Sequence, residues 1–398
     1  MIFSHLNKVP SKYWLIIWIL ATTLLLFMIG ILVLNPIWQT YGIHVPGEPN
    51  TKVDFTYPVD SIFYIRNAEF GYRWSAKVPT SIWFHPVISW LIEIMPNTIP
   101  ANWRYYFISI VSAPFALFFV YRYAQNVLEV NISPKFIPFA ILVSGGLNMA
   151  VGNAESLSLL FNALIILSVL EHYPISVSLL FGIIAILIKP NALYMLAPLA
   201  VYGIYDLIGK EYKNALRSLV IALGILITWG VWILYVDYMS GQTGAYWQAR
   251  EVATIPLYAG ILTLIYRMVE SIALGNIGEI LKYATAFLIP LIDLWLVLLV
   301  PFRNEKHRLA IISGLIMLLL ISFATSNPNK IFVYAMTLPS HLLIGWVVLQ
   351  LGFQSLLKQS SFSKRYDFLA ITALGVYVLV SIGMVVFFVV GTPLGWYI

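Results

Sequence analysis

The chain has no cysteine among its 398 residues. Disulfide frameworks, thiolate metal sites and thiol nucleophiles are therefore excluded. Charge is almost as scarce. Asp, Glu, Lys and Arg make up 10% of the residues, against roughly a quarter in a soluble globular domain. There is no G-x-x-x-x-G-K-[ST] or G-x-G-x-x-G segment, so a nucleotide-sugar held by a glycine-rich loop has no support. The six histidines (His5, His44, His85, His172, His307 and His341) show no H-x-x-x-H spacing, and no internal repeat or low-complexity segment stands out.

What fills the chain is oil. Hydrophobic residues are 60% of the total and the mean hydropathy is +0.86. A composition of this kind makes lipid the solvent for most of the chain. In lipid each backbone polar group must find its partner within the protein, which here means helices. The apolar runs are too long and unbroken for barrel strands, which alternate over about ten residues. The net charge of +6 does not indicate nucleic acid, because the basic residues fall in short clusters between apolar runs, as the positive-inside rule describes. Residues 13–34 are too long for a signal-peptide core and precede no small-residue cleavage site, so they read as a retained first helix.

The expected fold class is all-α, a polytopic integral membrane protein, with residues 1–398 read as one domain. Spanning helices of about twenty apolar residues are predicted over 13–34, 104–123, 136–149, 154–170, 175–188, 192–207, 216–236, 281–302, 309–324, 331–350 and 368–390, about 11 in all. With Lys8 and Lys12 on the cytoplasmic side, four of the alternate connectors carry a basic excess. They hold Arg122 and Lys135; Lys210, Lys213 and Arg217; Arg303, Lys306 and Arg308; and Lys358, Lys364 and Arg365. Two exoplasmic segments are long, 35–103 and 237–280, and structureless loops of that length are uncommon without a function. Each contains an apolar stretch too short to span (81–95 and 257–274), read as interfacial helices, with Trp83 and Trp90 as anchors in the first.

Polar residues gather on the outer side. In "VDFTYPVDSIFYIRNAEFGYRW", residues 53–74, Asp54 and Asp60 precede a predicted helix starting near Ser61. Helical spacing aligns Asp60, Tyr64, Asn67 and Gly71 along one face and puts Arg66 and Glu69 on another. Gly71 then stops the helix. This arrangement reads as one wall of a pocket; the bland alternative is that Asp60 is simply an N-cap. Three further charges fall near the same side of the threading: Glu155 in "GNAESLSLLF", Lys189 in "ILIKPNALY" and Lys330 in "NPNKIFVYAMTLPSH". Ionisable groups near membrane depth are costly and often mark sites, although a structural ion pair would account equally well for Glu155 or Lys189. Asp293, inside a predicted span, reads as a paired group at a helix contact.

"VDSIFYIRNAEFGY" resembles the first-loop signature W-D-x-x-[WY]-[YF]-x-x-I-A-x-x-G-Y of the phosphatidylinositol-glycan class V mannosyltransferases and their prokaryotic relatives. Asp60, Tyr64, Ala68, Gly71 and Tyr72 match in register; Val59 stands for the usual Trp and Asn67 for the usual Ile. "SIWFHPVISWLIEIM" is similar to the family's F-F-P-L-Y-P-x-L segment through Phe84 and Pro86, with His85 inserted. "GNAESLSLLFNAL" resembles its Y-x-E-S-L-F helix start, "LIKPNALYMLAPL" its T-R-x-x-G-x-L segment, and "NKIFVYAMTLPSH" its R-Y-x-x-x-x-F-P element. Lys189 and Lys330 stand where that family has Arg. Arg grips phosphate bidentately and Lys does not, so the resemblance holds better for the wider GT-C glycosyltransferase class.

The resemblance implies an inverting glycosyltransferase with a polyprenyl-phosphate-linked sugar donor, a lipid or glycan acceptor and a catalytic Asp in the first exoplasmic loop. The matching position is Asp60. On chemical grounds Asp60 can take the acceptor proton. Lys189, Lys330, Arg66 and Arg73 can steady the leaving phosphate. Tyr64 and His85 are substrate-side candidates, and Asp54 is the secondary carboxylate. No metal site is legible and no cofactor is certain, though a divalent metal is compatible with the carboxylates. The expected location is a prokaryotic plasma membrane, the endoplasmic reticulum membrane being the alternative. Two other functions compete: a secondary transporter, for which "SGGLNMAVGN" would be a broken helix, and a non-catalytic membrane assembly subunit.

Overall fold

The structure is a computed structural model and describes residues 11–41, 44–45, 48–52, 61–72, 84–143, 149–150, 154–248, 260–275, 290–325, 337–357 and 364–386. These residues are helical apart from short connectors and one antiparallel hairpin, β1 (His44–Val45) and β2 (Glu48–Lys52). The helices in chain order are α1 (Ser11–Ile29), α2 (Asn35–Tyr41), α3 (Ser61–Phe70), α4 (Pro86–Ile94), α5 (Ala101–Val127), α6 (Ile137–Val143) and α7 (Glu155–Leu170). Then follow α8 (Ile175–Ile188), α9 (Leu196–Ile208), α10 (Tyr212–Ser240), α11 (Gly260–Ala273), α12 (Glu305–Thr325), α13 (Pro339–Leu356) and α14 (Lys364–Val386). A wider π-helical turn, Gly30–Leu34, joins α1 to α2 without a break, and a 3₁₀ stretch, Pro190–Met195, leads into α9.

Four helical stretches among the described residues are long and apolar enough to cross a membrane: Tyr13–Ile37, Ala101–Val127, Pro190–Ile208 and Tyr212–Ser240. At a rise of 1.5 Å per residue the two longest reach about 40 Å, beyond a hydrocarbon core of about 30 Å. Their outward rows are apolar. On α10 Leu216, Leu219, Leu223, Ile227, Leu234 and Tyr238 are exposed, a pattern that is costly in water and natural in lipid. The expected helices at 154–170 and 175–188 form almost as drawn, yet they run only about 21–24 Å. α7 is largely buried and packs on α5 and α8, while α8 packs on α10 and leaves Leu180 exposed.

Helices form within both short apolar stretches, 81–95 and 257–274. α4 starts at Pro86, which supplies a preset φ at a helix's first position, and leaves Trp90 and Ile94 exposed. α11 lies within the second long segment. Arg104, buried at the start of α5, donates to the Ile92 carbonyl at 2.7 Å and to Asn97 Oδ1 at 3.3 Å. It thereby gives a carbonyl of the last turn of α4 a second donor beside the Met95 N–H at 3.3 Å.

The connectors sort into two ends. At one end Arg122 pairs with Glu171 at 2.5 Å and Arg217 Nε donates to the Tyr173 carbonyl at 2.9 Å. There too Lys306 pairs with Asp206, Arg303 Nε donates to the Leu128 carbonyl at 2.6 Å, and Gln350 bridges Asn131 and Ser133. At the other end lie α3, α4, the start of α7, the end of α8 and the C-terminal end of α10. Every basic connector among these that the threading assigns to one side falls at the first end.

Candidate functional site

Helix α3 begins at Ser61 and ends as the sequence requires. Gly71 adopts φ +72° and its N–H bonds the Asn67 carbonyl at 3.0 Å, the left-handed stop that a side chain would strain. Of the expected face, Tyr64 and Asn67 share burial while Gly71 is exposed. Arg66 is half-buried and Glu69 is exposed. The pocket reading of Tyr64 needs correction, however. It is 2% exposed, its ring lies 5.7 Å from Tyr105 in a stacked pair and 4.9 Å edge-on from Phe84. Phe63 stacks on Phe84 at 4.7 Å. These contacts make Tyr64 part of the apolar joint between α3, α4 and α5, with no face left open for a substrate. Asp54, Asp60, Arg73 and Lys330 lie outside the described residues, as do Trp83 and most of "SGGLNMAVGN".

Two of the expected site charges meet each other. Lys189 Nζ and Glu155 form an ion pair, with side chains 10% and 2% exposed. Glu155 opens α7, where the positive end of the helix dipole favours a carboxylate. Lys189 follows the last residue of α8 in extended conformation. Their chain neighbours Ala154 and Ile188 share an apolar cluster with Tyr64 and Ile65 of α3 and with Ile88 and Ile92 of α4. Four of the segments that carry the family resemblance thus converge at one end of the bundle, and the segment "NKIFVYAMTLPSH" reaches it through Thr337. Asn162 Nδ2 donates to the Thr337 carbonyl at 2.9 Å, and Asn191 Nδ2 to Thr337 Oγ1 at 3.2 Å.

His85 has a definite structural duty. The Ile186 carbonyl would normally accept from the residue four positions on, but that residue is Pro190, which has no N–H. His85 Nδ1 supplies the missing hydrogen bond. Its ring also packs 5.9 Å from Trp232 and 6.3 Å from Tyr246.

This points to an element that sequence reasoning missed. Trp232 near the C-terminal end of α10 gathers Tyr72 edge-on at 5.1 Å and Tyr235 stacked at 5.5 Å, while Tyr246 meets Trp247 at 5.4 Å. Tyr72, the last residue of the first-loop signature, lies with its hydroxyl 3.5 Å from Ser89, and burial holds that hydroxyl well above the usual tyrosine range. Asp237 fastens the Tyr246 loop by accepting from the Gly244 N–H at 2.8 Å. An aromatic within an apolar helix leaves no pattern to notice. The one available signal was the run of Trp229, Trp232 and Tyr235 at three-residue spacing.

Asp293, in a helical stretch at 290–297, pairs with His341 of α13 at 2.5 Å, both 1% exposed. The expectation of a paired carboxylate at a helix contact is met. No group of three or more His, Asp or Glu side chains able to hold a metal occurs among the described residues. No protein-family model matches the chain, and no curated protein matches it.

Proposed function

We propose that the protein is an inverting glycosyltransferase that moves a hexose, mannose on the first-loop resemblance, from a polyprenyl-phosphate donor to a lipid-linked or glycan acceptor at the outer membrane face. One observation carries the reading: the buried Glu155–Lys189 pair beside α3, which unites the segments that resemble the family. The eleven-span threading, N-terminus inside, belongs to the same proposal, and the sorting of connectors into two ends supports it.

In this reading the acceptor hydroxyl attacks the anomeric carbon as the bond from that carbon to phosphate oxygen breaks. The electron pair leaves with the polyprenyl phosphate, and Asp60 takes the acceptor's proton. Lys189, Lys330 and Arg66 supply positive charge where the phosphate gains negative charge. Lys189 is held in a dry setting, where such a charge acts far more strongly than in water. Phosphate would compete with Glu155 for it, so Glu155 keeps the cation compensated until the donor arrives. The lipid tail lies along the apolar helices.

The test is transfer in nanodiscs from synthetic polyprenyl-phosphate mannose and glucose. Asp60→Asn is expected to keep its fold and lose turnover by about 10²–10⁴-fold, the span of general-base catalysis. Unchanged turnover sinks the assignment of Asp60. A secondary transporter is the second reading. The break at Lys189–Pro190, with polar groups buried against it, has the form of a discontinuous helix. Solute uptake into proteoliposomes without sugar transfer would select it.

A further inference from the structure

Lys189, Glu155, Ser158, Asn162, Thr337 and Asn191 form one buried polar seam. Lys189 binds Glu155 Oε1, and the two amide nitrogens both grip Thr337. Glu155, Ser158 and Asn162 stand at i, i+3 and i+7 of α7, hence along one stripe. Four atoms of this seam are buried and have no hydrogen-bond partner among the described residues: Glu155 Oε2, Ser158 Oγ, Asn162 Oδ1 and Asn191 Oδ1. Each residue is 2% exposed or less. All four are oxygens. A buried acceptor left unmade is costly, and such atoms in a native protein call for an explanation.

The chemistry of the set narrows its ligand. Three of the four atoms only accept. A bare phosphate brings acceptors and would be opposed by them. A metal ion would meet a single carboxylate with an ammonium beside it. A ring carrying several hydroxyls brings the donors that are missing and keeps acceptors for the remaining N–H bonds of Lys189. We propose that this seam reads the hydroxyls of a hexose, with Asn162 and Asn191 as specificity-determining residues. That the hexose is the donor's sugar rests on the transferase reading; the seam's preference for a polyol does not.

The experiment measures melting of the full chain in nanodiscs against methyl α-mannopyranoside, methyl α-glucopyranoside, inorganic phosphate alone and MgCl2 alone. Hexosides are expected to raise the melting temperature saturably. Ser158→Ala and Asn191→Leu are expected to raise the half-saturating concentration about tenfold or more. Ser158→Ala should also hold or raise the ligand-free melting temperature, because it deletes an unmet buried hydroxyl. A hydroxyl with a purely structural role would lower it. Ser218→Ala, an equally buried hydroxyl without a partner near the start of α10, should leave half-saturation unchanged.

The proposal is overturned if hexosides do not protect the wild type. It is also overturned if neither variant shifts half-saturation, or if phosphate or MgCl2 protects as well as the hexosides do. Hexoside protection in a chain that transfers no sugar refutes the transferase reading and leaves the seam. Sugar transfer with unaltered mannose-to-glucose preference in the seam variants refutes the seam and leaves the transferase.

Discussion

Replacing Lys189 by Met asks whether the central ion pair is worth anything beyond its own maintenance. Glu155 is 2% exposed, and one of its oxygens already lacks a partner. Removing Lys189 strands a buried carboxylate, and such half-broken pairs cost about 3–5 kcal/mol. Glu155→Leu strands the ammonium instead and should cost a similar amount, slightly less because the side chain of Lys189 is more exposed. The double variant strands nothing. Apolar replacement of a whole buried pair is often neutral or better, so it should return to within about 1–2 kcal/mol of the parent, a coupling of roughly 3 kcal/mol or more. The assay is reversible unfolding in mixed micelles, run beside sugar transfer. Stability should recover in the double variant while transfer stays lost in all three proteins. Additive losses of stability would show that the two side chains do not act as a pair, and recovered transfer would show that the cation is not used on the donor.

Three further outcomes test the frame around the site. Gly345→Ala in α13 would put a methyl 1.9 Å from the Tyr377 hydroxyl and 2.6 Å from its ring, an overpacking cost of about 1–3 kcal/mol, and Tyr377→Leu should relieve it in the double variant. Gly71→Ala meets no neighbour within 4 Å, so its loss, about 1–2 kcal/mol from the left-handed backbone alone, should be matched by other non-glycine residues and lessened by Asn. Burial, aided by Lys306 and Arg303, holds His307 down at about 4, ahead of the apolar run that starts at Leu309. Below the ordinary histidine value of about 6.5 the unfolded chain binds a proton that the folded chain refuses, so stability should fall as pH drops from 6.5 towards 4. His307→Gln should flatten that slope, and an equal slope in the variant would remove His307 as its source.

Local chemistry explains what could be read in advance. The stop of α3 was legible because Gly71 acts on the backbone alone, and Pro190 ends α8 by an equally local effect. The orientation of α3 was legible because its buried and exposed rows follow a 3.6-residue period. Partnership was not. Nothing in "ESLS" or "IKPN" says that Glu155 and Lys189 share a bond, since 34 residues separate them. Tyr64 illustrates the opposite failure. Its spacing was right, but an aromatic on a helix face has the same pattern whether it lines a pocket or packs a joint, and only Tyr105 and Phe84 decide between the two. Hydrophobic length was less decisive. α7 and α8 are hydrophobic enough for a span yet only about 21–24 Å long, and α7, with its Glu155, Ser158 and Asn162 stripe, is largely enclosed while α8 leaves Leu180 exposed.

The break after α8 ties these pieces into one device. Pro190 cannot donate to the Ile186 carbonyl, so the helix must end and that carbonyl must find another donor. His85 provides it and in doing so fixes the chain entering α4 against the end of α8. The same break sends Lys189 out of helical register into extended backbone, φ −153°, from which it reaches Glu155. Asn191, two residues on, reaches Thr337. A residue that continued the helix would bury Lys189 along α8 and turn Asn191 away from α7. Pro190→Ala is therefore a more searching change than its size implies. It restores a donor to Ile186, makes His85 redundant and removes the reason for the kink. If the kink is what builds the site, Pro190→Ala should be tolerated in stability and damaging to hexoside protection.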